Sequence, residues 1–244
     1  MAQPSPVEAQ VAVTQVPELG PDVFTNEHKA DVPSPEACWF RSDICVYIAM
    51  ISFQKRSTPA SNVFTYGLRM PKIEVEPEDI PIEAVAQLND SQVNQAGEVL
   101  QSSKPVEEPF DWRPIGILVG NNPTAFRLRG FVRAQPLSAT PASAHLAALA
   151  YASDEKFLGV ALHANPDAAG KGGRNVGMVT SLTHNISFHD PTARADRWMV
   201  AERKTTWGAD ERVNVQQLLW DRGSGRLLMT VQQEALVRLR NGRL

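Results

Sequence analysis

Gln233 is the polar side chain whose position most needs explaining. It belongs to a run, residues 227–239, whose alternating face is otherwise Leu227, Met229, Val231, Ala235 and Val237. An amide on an apolar face needs a hydrogen-bond partner or a task. A neighbouring backbone group is the plain candidate, and orientation of a reacting group is the chemical one. Two histidines, His184 and His189, lie in an earlier strand-like run, and imidazole is the side chain that ordinarily titrates near neutrality. Thr183 adjoins His184, but strand alternation puts the two on opposite faces. A hydroxyl of ordinary pKa cannot itself act as a base near neutral pH. Cys38 and Cys45 are close in sequence, without CxxC spacing or a histidine cluster nearby. They read as free thiols in a reducing compartment rather than as metal ligands or a redox pair.

These residues need elements to position them. Residues 1–40 are rich in Pro, Val, Glu and Ala without helical or strand periodicity, so a disordered tail is expected there. The run Ile44-Cys45-Val46-Tyr47-Ile48-Ala49-Met50-Ile51-Ser52-Phe53 has the length and β-branching of a buried strand. From residue 72 to 108 the chain is acidic and proline-bearing and reads as a linker with one short helix near Ile82 to Leu88. Between Ser143 and Leu162 the apolar residues Leu146, Leu149, Ala150, Phe157, Leu158, Ala161 and Leu162 fall mostly three or four apart, which predicts one long helix lying on a core. A glycine-rich loop (Gly170, Gly172, Gly173) follows, then four strand-like runs at 176–189, 198–206, 213–220 and 227–239. Asp221-Arg222-Gly223-Ser224-Gly225 suits a hairpin connection, because glycine accepts positive φ. A helix followed by consecutive antiparallel strands is an α+β pattern, the sheet covering the helix.

The bulk properties exclude more than they identify. The chain has 244 residues, a formal net charge of -3 and 43% hydrophobic residues. The basic footprint that binding nucleic acid requires is therefore not expected. No run approaches the roughly 18 apolar residues of a membrane span, and the polar N-terminus lacks a signal-peptide pattern. Glycine-rich nucleotide motifs are absent, and no cofactor is implied. An intracellular protein, cytoplasmic or peroxisomal, is expected, the second because Gly242-Arg243-Leu244 loosely resembles the peroxisomal Ser-Lys-Leu address.

Several segments resemble one known family in order. Ala147-Ala148-Leu149-Ala150-Tyr151-Ala152-Ser153-Asp154 followed by Phe157-Leu158 is similar to the hotdog-helix signature of type II acyl-CoA thioesterases. Ser181-Leu182-Thr183-His184-Asn185-Ile186-Ser187-Phe188-His189 resembles the family's SLDH-x-x-x-FH strand. Trp198-Met199-Val200 with Thr205-Thr206-Trp207-Gly208-Ala209 resembles the next strand, and Gln232-Gln233-Glu234-Ala235-Leu236-Val237-Arg238 the closing QEG-x-x-R strand. A shorter match, Ser52-Phe53-Gln54 with Met70-Pro71, resembles the end of the family's first hotdog.

The resemblance implies a complete C-terminal hotdog at 109–244, a long helix wrapped by an antiparallel sheet. It also implies a remnant of a first hotdog at 41–71, left by truncation or decay. It implies hydrolysis of an acyl-CoA, or of a related thioester in a fatty-acid or secondary-metabolite pathway, by a water that an aspartate, a hydroxyl residue and a glutamine hold. Carried over, the hydroxyl is Thr206, or Thr205 if the register slips by one, and the amide is Gln233. The aspartate position holds Thr183, which weakens the expected catalysis.

His184 and Asp154 belong to the family pattern and fit binding or packing roles near the substrate. Arg194, Arg197, Arg203 and Lys204 could meet the CoA phosphates, although a solvated charged face explains such scatter equally simply. Two alternatives stay open: a catalytically impaired hotdog module that binds an acyl chain or a partner subunit, and a hotdog dehydratase or cyclase in which His184 pairs with Asp154 or Asp190. Homo-oligomerisation is expected, because one hotdog leaves an open sheet edge.

Overall fold

The computed structural model describes residues 64–80, 109–135, 137, 141–155 and 157–240, with the backbone of two short strands, β1 (Val13–Gln15) and β2 (Phe24–Asn26). Cys38, Cys45, the expected strand at 44–53, the expected helix at 82–88 and the C-terminal tripeptide lie outside the described residues. β1 and β2 pair antiparallel with each other inside the segment read as a tail. Among the described residues no helix is long and apolar enough to cross a membrane.

Six strands make one antiparallel sheet: β3 (Phe110–Leu118), β4 (Arg127–Ala134), β5 (Val176–Phe188), β6 (Met199–Ala209), β7 (Arg212–Asp221) and β8 (Leu227–Leu239). Their order is β3-β4-β6-β7-β8-β5, so β5 and β3 are the edges among the described residues. The last four match the runs read from the sequence to within three residues at each end. The first two were not read as strands. β3 contains Pro114, which a central strand would not tolerate, but β3 is an edge strand and its register shifts between Pro114 and Gly116. β4 hides its alternation behind arginines whose charges are met locally. Arg129 Nε donates to Glu202 at 2.6 Å, and Arg133 lies over the Trp198 ring at 4.1 Å.

The tight turns follow from local chemistry. β6 and β7 join through Asp210 and Glu211, both at positive φ (51° and 61°), the two-residue geometry that matches strand twist. β7 and β8 join through the expected 221–225 turn. There Gly225 sits at φ 69°, and the Asp221 carboxylate accepts from Ser224 N at 2.6 Å.

The predicted single long helix is instead three. α1 (Ala142–Asp154) stops where Glu155 turns extended (φ -65°, ψ 126°), and α2 (Gly159–His163) and α3 (Pro166–Ala169) follow. The break has a packing cause. It lets Phe157 enter the core with no exposure, while Glu155 accepts from Trp112 Nε1 at 2.9 Å on the edge strand. Burying a phenyl ring contributes about 1.5–3 kcal/mol, more than the few tenths that continuing a helix into Gly159 would return. α1 buries His145, Ala148, Leu149, Ala152 and Ser153, a three-and-four spacing centred on Leu149 with a polar residue at each end.

One face of the sheet packs on these helices through Phe110, Val132, Met199, Val215, Leu219, Met229 and Val231. The other face carries Phe131, Val200 and Trp220, covered by Met70, Ile73 and Ile80. Residues 72–80, read as the start of a linker, therefore form part of a strap across the outer face. Leu68 O accepts from Trp220 Nε1 at 2.9 Å, and Glu78 accepts from Trp198 Nε1 at 2.8 Å.

Candidate functional site

Strand register lays the polar residues out in rows. On the helix-facing side Thr205, Val215, Gln233 and His184 stand directly opposite one another on β6, β7, β8 and β5. The C-terminal end of α1 brings Ser153 and Asp154 against the β8 and β5 end of this row. Gln233, fully buried, donates both amide hydrogens: to Asp154 Oδ1 at 2.7 Å and to Ser181 Oγ at 2.6 Å. His184 reaches the same carboxylate, its Nδ1 lying 3.8 Å from Asp154 Oδ1, and its Nε2 is 3.0 Å from Ser153 Oγ. Ser153 also donates to Ala150 O at 2.6 Å. The Gln233 carbonyl oxygen is buried and has no hydrogen-bond partner among the described residues.

The group is open on one side. Asp154 keeps 60% of its side chain exposed and His184 keeps 22%, whereas Ser153 and Gln233 have no exposure. Burial pushes the His184 imidazole below its ordinary 6.5, and the Asp154 carboxylate opposes that shift. The imidazole is therefore neutral near pH 7, the form able to take up a proton.

The predicted residues divide between the two faces of the sheet. Gln233, Asp154 and His184 come together. Thr183 does not join them: its hydroxyl accepts from Glu234 N at 3.3 Å, in register with Glu234 on the outer side. Thr206 is the extra residue where the β6–β7 register shifts, and it donates to the Asn214 side chain at 2.8 Å. Thr205, which the one-residue slip allowed, is the threonine on the Gln233 row, and its hydroxyl donates to Asn214 O at 3.1 Å. His189 meets Thr230 Oγ1 at 3.1 Å, and Asp190 meets Arg226 and Thr192, so Asp190 is not the partner of His184.

Two of the four basic residues considered for phosphate are committed elsewhere. Arg194 forks onto Asp196 (3.0 and 2.6 Å). Arg203 is buried over the Trp112 ring at 4.3 Å and donates to Gln217 at 2.5 Å. Burial pulls the Arg203 pKa down to about 10, partly opposed by Glu155.

Ser153 and Ser181 were missed. Strict alternation assigns Ser181 to the face of Thr183, but the register shift between Ser181 and Thr183 turns it to the Gln233 side. Ser153 had a weak signal, as a polar residue on the buried stripe of a helix.

Comparison with known proteins agrees with the fold. A family model described as the acyl-CoA thioesterase C-terminal domain matches residues 77–237, about two thirds of the chain. The crystal structure of an acyl-CoA thioesterase II, TesB2, from Mycobacterium marinum is 23% identical, with a TM-score of 0.53 over 75% of this chain and 60% of that one. A tesB protein from Mycobacterium avium subsp. paratuberculosis is 20% identical, with a TM-score of 0.50 over 72% of this chain and 56% of that one. The chain thus spans less than two thirds of the length of either, and at these identities the likeness is one of fold. A search of curated proteins gives no match.

Proposed function

The chain belongs to the acyl-CoA thioesterase C-terminal domain family, and from that premise we propose that it hydrolyses an acyl-CoA thioester with a water held at Asp154 and His184. The observation that carries the reading is the convergence on one carboxylate oxygen. Asp154 Oδ1 accepts from Gln233 at 2.7 Å, lies 3.8 Å from His184 Nδ1, and sits on the accessible side of an otherwise buried group. Gln233 fixes the carboxylate, so Asp154 takes over the part that the family aspartate position, occupied here by Thr183, does not fill. A water oxygen forms its bond to the thioester carbonyl carbon while the His184–Asp154 pair takes its proton. The tetrahedral intermediate then collapses, the C–S bond breaks, and the proton passes to sulfur, giving free acid and CoA thiol.

The test is CoA release by the purified chain from short, medium and long acyl-CoAs, beside Gln233→Ala. Release that falls at least tenfold in the variant supports the reading. No release from any substrate points instead to a module that binds an acyl chain or a partner subunit without turnover.

The pH dependence tests the part given to His184. If His184 takes the proton, kcat/KM is flat above pH 6.5 and falls below it, because burial sets the imidazole pKa under that value. A rate that stays level throughout the range below pH 6.5 would take His184 out of the proton transfer.

The 3.8 Å approach of His184 to Asp154 also favours a second reading, a dehydratase or cyclase acting on carbon beside the thioester. Conversion of a 3-hydroxyacyl-CoA to the conjugated enoyl-CoA without CoA release would establish it over hydrolysis.

A homo-oligomer completes the proposal. Edge strand β5 exposes Met178, Leu182 and Phe188, and its side away from β8 meets no strand among the described residues, the kind of edge that a second chain normally covers. Light scattering at micromolar concentration is expected to give a dimer or larger, and a stable monomer would remove this part.

A further inference from the structure

The Ser153 hydroxyl has one hydrogen and two neighbours, Ala150 O at 2.6 Å and His184 Nε2 at 3.0 Å. Two oxygens at 2.6 Å repel unless a proton lies between them, so that hydrogen points to the Ala150 carbonyl. The contact with His184 must then use a hydrogen that Nε2 supplies. Ser153 is fully buried, on the stripe that α1 presses against the sheet.

We infer that Ser153 is a positioning residue that holds His184 in the tautomer with its hydrogen on Nε2, making Nδ1, on the Asp154 side, the atom that accepts a proton. The assignment rests on the water-activation reading above and deepens it. With the hydrogen on Nε2, Nδ1 and Asp154 Oδ1 are both acceptors, and at 3.8 Å they can share a donor that lies off the line between them. A water donating one hydrogen to each leaves its lone pairs free for a carbonyl carbon, and loss of one of those hydrogens to Nδ1 creates the nucleophile. No oxidant or further reactant is needed.

The same geometry disposes of a different mechanism. Serine, histidine and aspartate stand here in the order of a serine-hydrolase triad, with the hydroxyl at one imidazole nitrogen and the carboxylate near the other. A nucleophilic serine must be reachable and must give its proton to the imidazole. Ser153 has no exposure and gives its hydrogen to a backbone carbonyl. It accepts from His184 where a nucleophile would donate, so no acyl-serine forms.

Long-range proton–nitrogen correlation NMR of the full chain, labelled at histidine, tests the assignment without substrate. At a pH well above the imidazole range, His184, identified by the signals lost in His184→Gln, is expected to show a pyrrole-type Nε2 and a pyridine-type Nδ1. In Ser153→Ala both nitrogens are expected to shift toward the values averaged over the two tautomers. The same variant is expected to lower kcat by up to about tenfold with KM unchanged, a partial loss of what a positioned base supplies, and Ser153→Thr, which keeps the hydroxyl, to restore both readouts. A pyridine-type Nε2 in the unaltered protein overturns the assignment, and so does a Ser153→Ala spectrum identical to its parent's. The expected spectrum together with no CoA release upholds the tautomer and overturns hydrolysis.

Discussion

Replacing His184 by glutamine is expected to lower kcat for acyl-CoA hydrolysis by about 10²- to 10⁴-fold, the range typical of losing a positioned general base. Glutamine keeps a donor near Ser153 Oγ, so packing at the end of α1 is retained and the loss is chemical. Asp154→Asn is expected to fall in the same range, because the neutral amide still accepts hydrogen bonds but no longer carries the charge that stabilises the imidazolium formed when His184 takes the water's proton. Thr183→Asp serves as the contrasting variant. Thr183 faces the outer side, bonded to Glu234 N at 3.3 Å, so a carboxylate there should leave the rate within about twofold of the parent, since surface changes away from a site act weakly. The measurement is CoA release under saturating substrate. A tenfold gain in Thr183→Asp, with His184→Gln unaffected, would move the site to the outer row of Thr183, Glu234 and Asn214, the last bonded by Thr206, and would sink the arrangement proposed here.

Trp220→Ala is expected to destabilise the protein by about 3–5 kcal/mol, the usual cost of removing a large buried aromatic side chain. Trp220 is 2% exposed although it lies on the sheet face that the helices do not cover. Its burial therefore comes from the strap, whose Met70, Ile73 and Ile80 pack against Trp220, Phe131 and Val200, and whose Leu68 carbonyl accepts the indole hydrogen at 2.9 Å. Urea unfolding followed by far-UV circular dichroism checks the value. If the strap did not dock, the indole would sit on an open face and its removal would cost under about 1 kcal/mol, in line with surface substitutions. Leu118→Ala, on the exposed end of β3, is the control and should change stability by no more than about 0.5 kcal/mol.

The sequence by itself determined the last four strands, the presence of helix ahead of them and the family. Period-two alternation in the last four strands, the glycines of the 221–225 turn and the three-and-four spacing of apolar residues that opens a helix near Ser143 are local patterns, set by side-chain size and backbone propensity within a few residues. Gln233 was legible for the same reason, as an amide that breaks an apolar alternation. Tertiary structure decided which polar residues meet it. Alternation is counted along one strand, and a single unpaired residue reverses the count. The shift between Ser181 and Thr183 brings Ser181 to the Gln233 side, and the shift at Thr206 puts Thr205 in that row. A register shift belongs to the pairing of two strands, so neither strand's own sequence displays it. The end of α1 at Asp154 was likewise decided by a distant demand, the filling of the core by Phe157 and the bond from Trp112 to Glu155. Packing energy of that kind outweighs helix propensity, and it places the Asp154 carboxylate on the Gln233 amide.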